Sequence, residues 1–158
     1  MLAATIAVAL CACAKVGISL FQGEYSFKSS GSIEVQGEDC NYTLKTANEI
    51  GQIHINQAYD GTVKVSMNVI GGGVTVFDAR VSDTAIILVP RTRTVHLSPE
   101  LGPDFLTGFD AELTMGGIGR KSGKDIIFDF EYSGKVDALL IKGTVTRSAV
   151  ECVASRNE

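Results

Sequence analysis

From about residue 18 onward, apolar and polar positions alternate with a period of two. Ile33 and Val35 share one face of "SIEVQ"; Cys40, Tyr42 and Leu44 share one face of "CNYTLK"; Ile53 and Ile55 do so in "QIHIN". Val63, Val65 and Met67 continue the pattern, and "DIIFDFEY" aligns Ile126, Phe128, Phe130 and Tyr132 opposite Asp129 and Glu131. Successive side chains of a strand point to opposite faces, so this pattern predicts antiparallel strands with one face in a core and one in water.

Turn-forming residues separate these runs. Gly37-Glu38-Asp39, Asp60-Gly61, Gly71-Gly72-Gly73, Ser82-Asp83 and Ser133-Gly134 punctuate the chain. "YDGTV" and "YSGKV" read as hairpins, because glycine accepts the positive φ of a primed turn. "TAIILVP" is continuously apolar and predicts a strand covered on both faces, while Gly143 inside "IKGTVTR" predicts a bulge or bend. The segment Ser98 to Gly108, "SPELGPDFLTG", predicts a long connection with one helical turn near Asp104 to Leu106. The expected fold is all-β: a single antiparallel barrel or sandwich of about nine or ten strands over residues 15–158.

The first fourteen residues differ. Leu2 to Ala14 carries no charge. As a helix this run would span roughly 20 Å, short of the ~30 Å hydrocarbon core, but its length suits the apolar region of a cleavable signal. Two cuts fit. Ala12-Cys13-Ala14 has the A-x-A form of an ordinary signal-peptidase site, which would leave Lys15 first. Leu10-Cys11-Ala12-Cys13 resembles the lipobox of bacterial lipoproteins. That resemblance covers four residues and the apolar run, and Cys11 departs from its usual second position. It implies that Cys13 carries the lipid and begins the mature chain, fixing the protein to a membrane surface. Residues 1–14 are thus expected to be a signal or anchor segment. After either cut Cys40 and Cys152 remain, and an even pair in an oxidising compartment predicts a disulfide. It would close a loop of more than a hundred residues, worth about 4–5 kcal/mol on chain entropy alone.

Composition excludes more than it assigns. The chain has 158 residues, a formal net charge of −4 and no Trp, with a pI near 5.2. A nucleic-acid partner would want a dense basic face, so none is expected. "MGGIGRKSGKD", Met115 to Asp125, is glycine-rich, yet Asp125 stands where a phosphate-binding loop needs Ser or Thr, and a strand follows instead of a helix. It is expected to be a flexible hairpin loop whose Arg120, Lys121 and Lys124 present a basic patch. His54 and His96 are the only imidazoles, and no Gly-x-Ser-x-Gly elbow accompanies Ser98. Asp110 with Glu112, and Asp129 with Glu131, are the i, i+2 pairs any solvated strand face yields. Asn41-Tyr42-Thr43 matches the glycosylation acceptor, which has no bearing in bacteria. No metal cluster or cofactor motif is expected.

No catalytic constellation stands above this background. The expectation is therefore a non-enzymatic, exported, lipid-anchored binding or structural module of the cell envelope, with an envelope protein as partner. The alternative is a carrier of an apolar small molecule, with Phe128, Phe130 and Tyr132 lining its cavity. The meander resembles lipocalin-like barrels in strand count and hairpin rhythm, but lacks their Gly-x-Trp. A hydrolase is the second alternative.

Overall fold

The computed structural model describes residues 17–100, 108–138 and 140–158. The apolar run 2–14, Cys11, Cys13 and the expected helical turn at 104–106 lie outside the described residues. A helical turn over residues 17–21 leads into nine strands: β1 (Gly23–Gln36), β2 (Asn41–Gln57), β3 (Val63–Val69), β4 (Gly73–Val81), β5 (Ala85–Pro99), β6 (Phe109–Ser122), β7 (Asp125–Ser133), β8 (Lys135–Asp137) and β9 (Lys142–Arg156). Every pairing is antiparallel. The strands form one sheet in which each pairs with its neighbour in sequence as far as β7, which then pairs with β9. β9 also pairs with β1 along its length, so the sheet closes in a ring.

The alternation explains the inside. Ile33, Val35, Leu44, Ile53, Ile55, Val65, Met67, Phe77, Ile126, Phe128 and Phe130 are buried in one cluster. Outward neighbours such as His54, Asp129 and Glu131 are exposed or half-exposed. One end of the ring is plugged by the 17–21 turn, whose Ile18 and Phe21 are buried. The Tyr25 hydroxyl donates to the Phe21 carbonyl at 2.7 Å. Lys121 and Arg156 each stand 5.8 Å from the Tyr25 ring centroid, a distance that suits cation–π attraction.

Five expectations are corrected. "TAIILVP" is covered on one face only: Ile86 and Leu88 are buried, whereas Ile87 and Val89 face solvent. "YSGKV" is not a hairpin, because β7 and β8 run in line along the same edge of β9, and Gly134 (φ +126°) marks the bend between them. Gly143 is not at the bulge: the register shift falls further along β9, where Val145 and Arg147 face Val35 and Glu34, and Gly143 instead permits a close approach to the Gln36 carbonyl. "MGGIGRKS" is not a loop but the last half of β6, turning only at Gly123-Lys124. Its glycines make room for the next strand, since a Cβ on Gly119 would lie 2.6 Å from the Phe128 ring.

The fifth correction concerns the cysteines. Cys40 and Cys152 are free thiols, one exposed and one buried. The Gln36–Thr144 pair sets the turn holding Cys40 beside position 144 of β9. Cys152 lies eight positions further along that strand, roughly 26 Å away at the usual rise. A disulfide needs Cα atoms within about 7 Å.

Candidate functional site

The wall of the ring is not uniform. β2 is a 17-residue strand that pairs with β3 from Gly51 to Gln57, but with β5 from Leu44 to Thr46. β4 pairs with β5 only at Ala79–Val81. Between these two joins, residues 73–78 of β4 and 89–96 of β5 run without a ladder between them. The β3–β4 hairpin therefore splays away from β5 and leaves a seam in the wall. A groove of about 340 Å³ occupies it, lined by Gly72, Val74, Thr75, Val76, Arg91, Thr92, Arg93 and Thr94.

Two irregularities aim charged side chains at this seam. In β2, Ala47 and Asn48 lie opposite the single residue Ser30 of β1. In β5, Val89 and Pro90 lie opposite the single residue Gly116 of β6. An extra residue in one strand shifts which sequence positions face inward. Leu44 and Thr46 point inward before the first bulge, and Glu49, Gly51 and Ile53 after it. Ile86 and Leu88 point inward before the second, and Arg93, Val95 and Leu97 after it. Glu49 and Arg93 consequently meet.

Arg93 Nη2 donates to Glu49 Oε1 at 2.7 Å, and Nη1 donates to Oε2 at 3.1 Å. The side chains are 8% and 15% exposed, so this is a largely buried fork-to-fork pair. Nη1 also faces Met115 Sδ at 3.5 Å and Met67 Sδ at 4.0 Å. Behind the pair, burial pushes the Tyr132 phenol far above its ordinary value, against the opposing pull of Arg93. Burial, then the Glu49 charge, pushes the Cys152 thiol up to about 12. The cluster is thus an ion pair backed by two groups held neutral. Nearer solvent, Arg91 Nη1 crosses the groove to β4 and donates to the Val76 carbonyl at 2.6 Å.

The rim is apolar. Of the large hydrophobic side chains exposed among the described residues, Ile50, Ile70, Val74, Val76, Ile87 and Val89 all belong to the strands and turn that border the seam. A larger hollow of about 680 Å³ lies at the end of the ring opposite the 17–21 turn, between the β1–β2 and β8–β9 turns. Glu38, Asp39, Lys135, Asp137 and Lys142 ring it, a mixed and solvated set, and the Tyr42 phenol there is raised, chiefly by its hydrogen bond with Cys40.

The residues expected from sequence do not gather into a site. Phe128 and Phe130 lie with ring centroids 5.7 Å apart and are buried in the core. Of the expected ligand-lining trio only Tyr132 touches the charged cluster. The basic residues are each engaged separately: Arg120 with Asp129 at 3.5 Å, Lys124 with Glu158 at 3.5 Å, and Lys121 through its Nζ to the Lys124 carbonyl at 2.9 Å. His96 Nδ1 lies 2.8 Å from Asp110 Oδ1 on the exposed outer face. Among the described residues no group of three His, Cys, Asp or Glu side chains is placed to hold a metal. Sequence reasoning missed Glu49, Arg91 and Arg93. The available signal was the change of inward parity from Leu44 to Ile53, and from Leu88 to Val95.

No protein family, curated protein or solved structure matches the chain.

Proposed function

We propose that this protein is an exported, lipid-anchored binding module of the bacterial envelope, without enzymatic activity, that accepts an extended segment of a partner protein along the open edge of β4. The closed ring is read as a small barrel that serves as a rigid frame for that edge. The observation carrying this reading is the run 73–78 of β4, paired with β3 on one edge and without a ladder on the edge toward β5, and bordered by solvent-facing Val74 and Val76. A free strand edge is a template for pairing, and soluble proteins ordinarily blunt it with charge or a cover. Here the Arg91 side chain meets it at one carbonyl, that of Val76. A partner strand would gain main-chain hydrogen bonds along β4, with Val74 and Val76 contacting its alternate side chains. A filled interior supports this surface reading over a carrier: Phe128, Phe130 and Met115 occupy the space a ligand would need.

The test is site-specific photo-crosslinking in the native host, with the photoreactive residue at Val76 or, as control, at Arg147 on the far wall. A discrete adduct from position 76 alone, abolished when paired Thr75→Cys and Thr92→Cys substitutions staple the seam, is expected. An adduct of twice the chain mass would make the partner a second copy. Equal labelling at both positions, or labelling unaffected by the staple, would overturn the reading.

A further inference from the structure

The end of the ring plugged by residues 17–21 also collects the starts of β1, β3, β5 and β7 and the ends of β2, β4, β6 and β9. Gly17 lies against Ser82 of the β4–β5 turn, and Arg156 Nη2 donates to the Gln22 carbonyl at 2.7 Å. The chain entering the fold is therefore tied to this end on two sides. Leu20 of the turn is 41% exposed, and Tyr59 of the β2–β3 turn is fully exposed.

We propose that this end rests on a lipid bilayer, with Leu20 and Tyr59 in the headgroup region. The proposal rests on acylation at Cys13. From Cys13 to Gly17 there are four residue steps, a reach of at most about 14 Å even when fully extended. The 14-residue β1 carries the opposite end of the ring roughly 45 Å along the strand from this one. An anchor that short holds the plugged end at the membrane and keeps the other away. Tyr59 has the apolar ring and polar tip that suit the interface between hydrocarbon and water. Charge does not drive the contact. Lys121, Lys124 and Arg156 stand at this end with four acids, Asp60, Asp83, Asp125 and Glu158, so the acyl chains hold the protein and the apolar contact orients it. The seam between β4 and β5 opens toward the other end and stays accessible.

The natural chain has no Trp, so Leu20→Trp, Tyr59→Trp and Leu140→Trp each create a single reporter. Leu140 is an exposed residue of the β8–β9 turn, at the opposite end. Each full-length variant is expressed in the native host, checked for its acyl chains by intact mass, and reconstituted in vesicles of phosphatidylethanolamine and phosphatidylglycerol with brominated acyl chains. Quenching at positions 20 and 59 at least twofold stronger than at 140, and equal in low and high salt, is expected. Acylated protein quenched equally at all three positions, or at none, overturns the orientation while leaving the anchor intact. A changed emission at 20 and 59 without bromine quenching would place a second copy of the chain there and also overturn it. A mass without acyl chains removes the anchor, and the proposal falls with it.

Discussion

Arg93 of β5 and Glu49 of β2 join as a bidentate ion pair just beyond the point where their strands part. Neither strand pairs with the other at that level; they meet again only at Leu44–Thr46 with Leu97–Pro99. The pair therefore takes the place of a missing piece of ladder and closes the inner side of the seam.

Removing one partner leaves an uncompensated charge in a nearly buried position. Arg93→Met or Glu49→Leu alone is expected to destabilise the fold by about 3–5 kcal/mol in urea unfolding. The double substitution should recover most of that loss, because Met67, Met115 and Tyr132 offer an apolar surround. Additive losses in the double variant would show that the two side chains act independently.

This pair also marks how far the sequence could be read. The strands, their faces and most of the core follow from alternation, because burying one face of a sheet dictates it. Ile33, Ile53, Val65 and Phe128 needed nothing more. Bulges are set by pairing between distant segments, so a single run shows them only as a change of inward parity, as from Leu44 to Ile53, without fixing where the extra residue sits. The expectation at "YSGKV" failed for a related reason: Gly134 permits a hairpin or a bend, and what β9 offers decides between them. At "MGGIGRKS" the absence of side chains suggested a loop. It reflects instead the aromatic rings of β7 lying over β6.

Gly119 carries a direct test of that packing. A Cβ there would meet the Phe128 ring at 2.6 Å and Ile86 at 2.9 Å. Gly119→Val is expected to cost about 1–3 kcal/mol or more through overpacking. Adding Phe128→Leu should return part of it by freeing volume on the facing strand. If Gly119→Val unfolds with an unchanged midpoint, the glycine does not make room for the ring.

The two thiols of the ring should differ sharply in reactivity. Cys40 is exposed, whereas Cys152 is buried with its thiol raised to about 12. Peptide mapping after brief iodoacetamide treatment at pH 8 is expected to find Cys40 labelled and Cys152 intact until the protein is unfolded. The same shift has a pH consequence. The folded thiol keeps its proton above the ordinary value of 9.0, while the unfolded chain loses it. Its stabilising contribution is therefore complete below about pH 9 and is lost as pH rises toward 12, and Tyr132, also raised, acts in the same direction. The urea midpoint should fall through that alkaline window, and Cys152→Ala should flatten the decline. An unchanged slope in that variant would remove Cys152 as a cause.

The turn over 17–21 decides where the domain begins. Phe21 is completely buried, and its carbonyl accepts the Tyr25 hydroxyl. Were the turn an incidental extension of the preceding chain, Phe21→Ala would leave stability unchanged. Since the ring fills space that strand residues leave open, the substitution is expected to cost about 3–5 kcal/mol, the range for truncating a buried aromatic. Tyr25→Phe removes only the hydrogen bond and should cost about 0.5–1.5 kcal/mol. The ratio matters because both changes touch the same end. A large loss for Phe21→Ala with a small one for Tyr25→Phe identifies packing as what holds the turn. A comparable loss for both would shift that role to the hydroxyl and its two flanking cations.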